Sequence, residues 1–582
     1  MKTLYTIGID FGTSNSCVCY ASYNLRPDGN VDAIPAKRPE ALALQHADTI
    51  PTVVFLGDEA GQPTLFGEIA EERAVFYPDL TRSGFKLNLG LSSVEGAEAF
   101  MLTKQFLSYL RGKIAEYVPL DRTGDEIHVE TYVGHPVQWT TDQREETVRA
   151  AREAGFPNVR LESESLAAVY CHLCETGSTM LRSAGSQVMM IDMGGGTTDF
   201  AFLELADDPK TSPESRPVDP ALVAEPWGAG RRSYGGRDLD MLLLDHFLDG
   251  WGYTQRPKEY PALMREMRRF KERFSTNIED GVNIYHSNWL VNGQQKSVQL
   301  DQETFERLTT EYRAYFKRLV QTALVQVGLK AEDVSAIILT GGHSRWYFVE
   351  EALKDLFPQV RRENQTLLRH NHPEQSVARG LCYSRMVMAQ AGESQATRRK
   401  ATHSLWVGVS PQPGSLETTL FTDETDGHSS AVNYEPVLLM PERQLLPYRP
   451  GAPVSLQVQR LALDNHHPVI NLRLYSGVQD GVRVPLMDRT ATFQRGVVEG
   501  VMKQISRRMP WATDADEDRF LVDVFCVVDE NEIVSGKVVI TRYWRDRVMA
   551  VQTQPLQVDP ARRMLSASPT LVASPRLAAA AA

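Results

Sequence analysis

Two short segments place aspartate, glycine and threonine in an order suited to gripping phosphate: Asp10-Phe-Gly12-Thr13-Ser14 and Asp192-Met-Gly194-Gly195-Gly196-Thr197. In such a turn glycine lets the backbone come close to an anion. The amide hydrogens and the threonine hydroxyl point at that anion, and the aspartate brings a metal to neutralise it. Two turns of this kind facing each other would hold a polyphosphate from both sides. A third glycine turn, Thr340-Gly341-Gly342-His343-Ser344-Arg345, follows an apolar run and opens a helix, the position at which a ligand sits in an open α/β sheet. A fourth, Tyr234-Gly235-Gly236-Arg237-Asp238, opens another helix, whose N-terminus favours phosphate. Together the four imply a nucleotide clasped between lobes. No G-x-x-x-x-G-K-[ST] occurs, which excludes a Walker-type loop.

The elements that must carry these turns are legible nearby. Residues 4 to 23 read as two strands around the first turn, and Val188 to Asp192 with Asp199 to Leu203 repeat that hairpin around the second. A hairpin repeated at long range suggests a duplicated domain whose halves face each other. Between the copies the sequence predicts a strand over 131–136 and a helix from about Asp142 to Ala154, with Asp142-x-x-Glu145 as a capping box. A second helix is expected from about Glu164 to Cys174. After the second copy come a surface loop over 207–220, a helix over 238–249, and a helix carrying Leu263, Met267, Phe270 and Phe274. A long helix over 304–327 and a buried strand over 334–339 follow. Strands alternating with helices of this length indicate an α/β architecture.

Composition sets the outer limits. The chain has 582 residues, 42% of them apolar, and a net charge of −12, so no broadly basic field draws a polyanion and nucleic acid is not an expected partner. No window approaches the ~18 apolar residues that span a bilayer, and the expected location is cytoplasmic. The six cysteines are too sparse for a disulfide framework. Only Cys171-x-x-Cys174 has a metal or redox spacing; both lie on one face of the expected helix and are read as reduced and buried.

The texture changes near residue 391. A polar, charged linker is expected over 392–403, and after it short β-rich runs over 405–409, 437–440, 469–475, 520–528 and 533–541. The last two form a hairpin candidate, and the whole of 404–556 is read as a β-sandwich. The tail from Gln554, and over 557–582 in particular, is read as disordered.

The glycine turns also carry a resemblance. Ile7-Gly-Ile-Asp10-Phe-Gly12-Thr13-Ser-Asn-Ser16-Cys-Val18 resembles the first phosphate motif of the seventy-kilodalton heat-shock chaperones of DnaK type, within the actin-like ATPase superfamily. Ile191 to Asp199 resembles their second phosphate motif and Thr340 to Arg345 their adenosine motif. The resemblance implies a duplicated, actin-like (ribonuclease-H-like), two-lobed ATPase domain over 1–391 that binds ATP or ADP with Mg²⁺. On this reading Asp10 and Asp192 hold the metal, largely through water. Gly12, Thr13, Ser14, Gly194, Gly195, Gly196 and Thr197 surround the phosphates, together with Gly235 and Gly236. Lys86 matches the lysine that places the attacking water, and Glu164 matches an acid near the metal, although Ser165 stands where the family has proline. Asp192, supported by Asp199, orients the water.

At the adenosine end the match implies contacts from Lys271, Ser275, Gly341, Gly342 and Arg345, while Arg268 and Glu272 depart from the family's usual Glu and Arg. Pro136 and Arg144 match a switch proline and an arginine that relays nucleotide state.

Past residue 400 the resemblance continues in Ile470 to Gly477 and in Val522 to Val534, where Glu532 replaces a hairpin glycine. In the family this region binds extended, unfolded polypeptide, with co-chaperones as further partners. Thr397-Arg398-Arg399-Lys400 is basic where the family's linker carries leucines ending in Asp, and only about thirty residues follow Val551, so no helical lid is expected. The leading expectation is an ATP-hydrolysing chaperone. The alternatives are a nucleotide-gated module that recruits one dedicated protein partner and, behind it, a small-molecule kinase of the same superfamily.

Overall fold

Lys2–Asp10 and Asn15–Leu25 are strands because β-branched, aromatic and cysteine side chains dominate both, and the polar Gly-Thr-Ser segment between them reverses the chain. In the computed structural model they pair antiparallel with Asp10 opposite Cys17. The structure describes residues 2–391 except 28, 33, 58–62, 75, 92, 122–125, 137–138, 140, 176–185, 205–213, 218–233, 258 and 363–365. Beyond these it describes 404–410, 437–440, 454–459, 471–477, 483–492, 518–528, 534–544 and 547–555. The chain divides into two units. One comprises Met1–Asn88, Leu102–Trp139 and Thr147–Thr402, the other Leu89–Met101, Thr140–Glu146 and His403–Ala582.

In the first unit, β1 (Lys2–Asp10) and β2 (Asn15–Leu25) are joined by β3 (Lys37–Ala41) and β4 (Thr49–Pro51) along β2. Val53–Phe55, Leu65–Phe66 and Thr81–Ser83 form a small separate sheet, β5 to β7. Then β8 (Ile127–His135) runs parallel to β1, and β9 (Val159–Ser163) parallel to β8. The second large sheet repeats this plan. β10 (Gln187–Met193) and β11 (Thr198–Glu204) are antiparallel with Asp192 opposite Asp199, and β12 (Glu214–Pro217) edges β11. β13 (Ile284–Val291) and β14 (Gln294–Asp301) form a separate hairpin, after which β15 (Val334–Thr340) lies parallel to β10 and β16 (Leu367–Arg369) parallel to β15. The orders β3-β2-β1-β8-β9 and β12-β11-β10-β15-β16 are the same. The repeated hairpin read from the sequence is thus one part of a repeated sheet.

Each sheet's last strand is followed by a helix, Glu164–Glu175 after β9 and Ser376–Ala391 after β16. These two helices cross backbone to backbone: a Cβ on Gly380 would lie 1.7 Å from the Ala167 carbonyl oxygen. Around them a core draws Leu4, Cys19 and Tyr23 from the first sheet and Met190, Leu203 and Ile338 from the second. A larger core joins the second sheet to the helices Gly236–Gly250, Tyr260–Glu279 and Thr310–Gln326 through Phe202, Leu244, Phe270 and Phe316. Because apolar side chains from both sheets meet in one core, burial fixes the positions of the turns at the strand ends.

Some expectations need correction. The long helix over 304–327 is two helices, Gln302–Leu308 and Thr310–Gln326, parted at Thr309, whose hydroxyl donates to the Phe305 carbonyl. Asp142 does not cap a helix; it lies inside the first turn of Thr141–Glu153. The expected loop over 207–220 contains β12, and its other residues lie outside those described.

In the second unit, Ser404–Ser410, Val437–Met440, Asn471–Gly477 and Arg483–Thr492 form one four-stranded sheet. Val454–Gln459, Asp518–Val528, Val534–Trp544 and Arg547–Pro555 form another. The hairpin over 520–541 is present, with Val528 opposite Val534. Sequence patterning missed Val454–Gln459, Arg483–Thr492 and Arg547–Pro555; the second contains Pro485 and Asp488, which argue locally against a strand. The strand ending at Pro555 runs past Gln554, where the tail was expected to begin. The linker 392–403 and the tail 557–582 lie outside the described residues.

Candidate functional site

The strands β1 and β10 end in Asp10 and Asp192, and β9 hands over to its helix at Glu164. A short 3₁₀ turn, Phe85–Asn88, presents Lys86. Phe85 fixes that turn by packing with Phe11 and Phe106, ring centroids 6.2 and 6.4 Å away. All four side chains line one cleft of about 620 Å³. Lys86 Nζ lies 3.3 Å from Glu164 Oε1, and both side chains are buried. The ammonium also stands 4.9 Å from the Trp139 ring centroid, a cation–π contact that compensates part of its lost hydration.

Fully ionised, three acids and one lysine would leave this buried group negative. Burial first, then the Glu164 and Asp192 charges, push the Asp10 carboxyl well above the usual carboxylate range, with Lys86 opposing. Burial, Glu164 and Asp199 push Asp192 up to about 7, against the Thr340 hydroxyl and Lys86. Glu164 is raised by burial, and Lys86 pulls it back. A divalent cation would relieve this excess of negative charge. Oxygen donors of this kind suit Mg²⁺, and Asp10 and Asp192 would hold it, where it would supply charge neutralisation beside phosphate.

The glycine turns meet in the same cleft. Gly236 N–H donates to the Gly194 carbonyl at 3.1 Å and Arg237 N–H to that of Gly195 at 2.7 Å, which ties the fourth turn to the second. A Cβ on Gly235 would sit 2.9 Å from the Gly195 carbonyl oxygen. Ser14 faces this pair across the cleft: a Cβ on Gly195 would lie 3.0 Å from its Cβ. Gly12, Thr13 and Thr197 line the same walls, and Thr197 donates its hydroxyl to Asp199 at 3.1 Å. Gly341 has φ of 76°, and a Cβ there would meet the Met193 carbonyl at 2.3 Å and Asp192 Oδ1 at 2.6 Å. Both conditions admit only glycine.

At the other end of the cleft, Lys271 and Ser275 project from one face of Tyr260–Glu279 and are buried. Lys271 Nζ lies 2.6 Å from Asp240 Oδ1 and donates to the Gly236 carbonyl at 2.8 Å. Gly342 and Arg345 also line the cleft, and Arg345 is held by Glu374 at 3.0 Å and by the Asn371 carbonyl. Tyr312 donates its hydroxyl to the Gly235 carbonyl at 2.9 Å and lies 3.0 Å from His343 Nε2. Burial, then Lys271, holds the His343 ring well below its usual pKa, so it is neutral. Its Nδ1 has no partner among the described residues.

The family model for the Hsp70 protein matches residues 94–424, more than half of the chain. The chain belongs to the Hsp70 family. Among curated Hsp70 relatives, it is 24% identical over 410 residues to the chaperone protein DnaK of Thermosipho melanesiensis and 25% identical over 403 residues to that of Thermotoga neapolitana. Each match covers 67% of this chain and 60% of the relative. The chain therefore spans about 60% of the length of the DnaK proteins it matches. The Hsp70 family implies an actin-like, two-lobed ATPase that binds ATP or ADP with Mg²⁺, and the repeated sheets are of mixed α/β type.

Within this Hsp70 chain every residue expected at the phosphate, metal or adenosine site falls in the first unit, and all but Gly235 line the cleft; Gly235 packs directly on the Gly195 turn. The departures Arg268 and Glu272 line it too. Arg268 reaches toward Glu71 and Asp240, at 3.8 and 3.9 Å, and burial raises the Glu272 carboxyl. Pro136 lines the cleft, whereas Arg144 belongs to the second unit, where it is buried. Trp139, Asp240, Tyr312 and Glu374 escaped sequence reasoning. Tyr312 sits in an ordinary apolar helix stripe, and the partners of Lys271 and Arg345 are distant in sequence, so only the fold could pair them. Cys171 is buried and Cys174 half-buried, and both are free thiols.

Proposed function

We propose that the chain is an ATP-dependent chaperone of DnaK type: Mg-ATP binds in the cleft of the first unit, is hydrolysed there, and its state sets the affinity of the C-terminal β region for extended, unfolded polypeptide. The observation that carries the reading is the buried Lys86–Glu164 pair in the same cleft as Asp10 and Asp192. Phosphoryl transfer depends mainly on positioning and electrostatics, and this group supplies a fixed positive charge beside carboxylates suited to a cation. In this account Asp10 and Asp192 hold Mg²⁺, and Thr13, Ser14, Gly195, Gly196 and Thr197 surround the β- and γ-phosphates. Lys86 places the attacking water, and Asp192, backed by Asp199, orients it. Lys271, Ser275, Gly342 and Arg345 take the adenosine.

Hydrolysis of ATP by wild-type protein and by Asp10→Asn tests the reading. Turnover should require Mg²⁺ and collapse in the variant, and equal activity in both would refute it. A second reading, a nucleotide-gated module that serves one dedicated partner with little hydrolysis, draws support from the basic Arg398-Arg399-Lys400 run where related chaperones carry leucines.

A further inference from the structure

Away from the acids of the cleft, Cys171, Glu175 and His370 bring one ligand atom each to within 4.8 Å of one another. Cys171 and Glu175 are one helical turn apart on Glu164–Glu175 and share its face; His370 comes from the segment just after β16. From these residues we infer a binding site for a borderline-soft divalent cation, Zn²⁺ in the first instance, held by the Cys171 thiolate, the Glu175 carboxylate and His370 Nε2. Thiolate and imidazole together select zinc over magnesium or calcium, and three protein ligands leave one position for water.

The surroundings have the form that such a site requires. His370 Nδ1 accepts from the His372 backbone N–H at 3.0 Å and lies 3.1 Å from the His372 carbonyl, so this segment holds the ring with Nε2 toward Glu175. Glu175 is oriented by Arg379 Nε at 2.9 Å and the Tyr383 hydroxyl at 3.2 Å, so its carboxylate is anchored before any ion arrives. Without metal, His370 Nε2 bonds Glu175 Oε2 directly at 3.0 Å. Metal binding replaces that bond with one bond from each residue to the ion, moves the imidazole proton to Nδ1, where the His372 carbonyl accepts it in place of the contact with the His372 N–H, and releases the Cys171 thiol proton to solvent. Cys171 is fully buried, while Glu175 and His370 are partly exposed and give the ion its way in. His370 and its neighbour Asn371 also line the cleft, and Asn371 accepts from Arg345. A bound ion would therefore clip the end of helix Glu164–Glu175 to a segment of the cleft wall.

The test is metal binding by the full chain after treatment with chelator and removal of the chelator. Zinc is titrated against a chromophoric competitor, and bound metal is counted by mass spectrometry. Wild type should hold one zinc per chain. Loss of an outer-shell partner alone weakens zinc sites ~10–100-fold, so Cys171→Ser and His370→Ala should each bind more than ~100-fold more weakly. Cys382→Ser, which lies outside the cluster, should bind as wild type does. Cobalt in place of zinc should give a thiolate-to-metal charge-transfer band that Cys171→Ser abolishes. Failure of the wild-type chain to bind zinc stoichiometrically overturns the inference without recourse to any variant. Binding unchanged in both Cys171→Ser and His370→Ala overturns it as well. Neither outcome depends on ATP hydrolysis.

Discussion

Lys86 Nζ lies 3.3 Å from Glu164 Oε1, although the two residues arrive from a 3₁₀ turn and a helix start that are far apart in the chain. The pair is the only described ion pair in the cleft that lies among the three acids at the strand ends, so it sets their charge balance. Replacing Lys86 by Ala should lower ATP turnover about 10²-fold or more, as loss of one preorganised donor does. It should also destabilise the fold, but by less than the ~3–5 kcal/mol of a broken buried pair, because the raised Glu164 carboxyl can take up a proton. Single-turnover rates and denaturant midpoints on the same preparations separate the two effects. Full retention of hydrolysis would remove Lys86 from the reaction.

Asp192 makes stability depend on pH in a definite direction. Its carboxyl is raised to about 7 in the folded chain, against ~3.9 when unfolded, so between these values the folded state binds the proton more tightly. In chelator, stability should therefore fall as pH rises from about 4 to about 7 and then level off. Mg²⁺ with nucleotide should stabilise more at pH 8 than at pH 5.5. Thermal melts of wild type and Asp192→Asn across this range check both points, and the variant should show a shallower slope, the remainder coming from the raised Asp10 and Glu164 carboxyls.

The crossing of the two helices at Gly380 predicts a strong steric effect. Since a Cβ there would lie 1.7 Å from the Ala167 carbonyl oxygen, backbone must move. Gly380→Ala should cost at least the ~1–3 kcal/mol of ordinary overpacking, read as a drop in melting temperature. A neutral result would mean that the helices pack less closely.

Tyr312→Phe removes the hydroxyl that donates to the Gly235 carbonyl and faces His343. The Gly235 carbonyl keeps the Asp238 N–H at 3.1 Å, so the variant loses the net worth of a hydrogen bond, about 0.5–1.5 kcal/mol, on a turn tied to the phosphate side of the cleft. ADP affinity measured by calorimetry should weaken by up to about tenfold. An unchanged affinity with a lowered melting temperature would assign Tyr312 to the core alone.

Legibility in the sequence followed the range of the interactions. The turns at Asp10, Asp192, Gly235 and Gly341 were visible because a phosphate-holding turn is local: one or more glycines within six residues, accompanied by an acid in all but the Gly341 turn. The duplicated hairpin was visible for the same reason, and its extension to two sheets of identical order followed from parallel pairings such as Asp192 beside Thr340, which local pattern does not encode. Partners such as Asp240 for Lys271, Glu374 for Arg345 and Trp139 beneath Lys86 are set by tertiary packing and leave no mark on nearby residues. The break at Thr309 was hidden because Thr interrupts apolar periodicity no more than other polar residues do. The sequence singles out Cys171-x-x-Cys174, whereas the groups gathered at Cys171 are Glu175 and, from the far side of the duplication, His370.

The central claim is that nucleotide chemistry in the cleft is coupled to polypeptide binding by the rest of the chain. Its most direct test is single-turnover hydrolysis of Mg-ATP by the purified full chain, with and without an unfolded apolar peptide. Acceleration of several-fold by peptide is the predicted result. Hydrolysis that is absent, or indifferent to peptide at saturating concentration, would contradict the account.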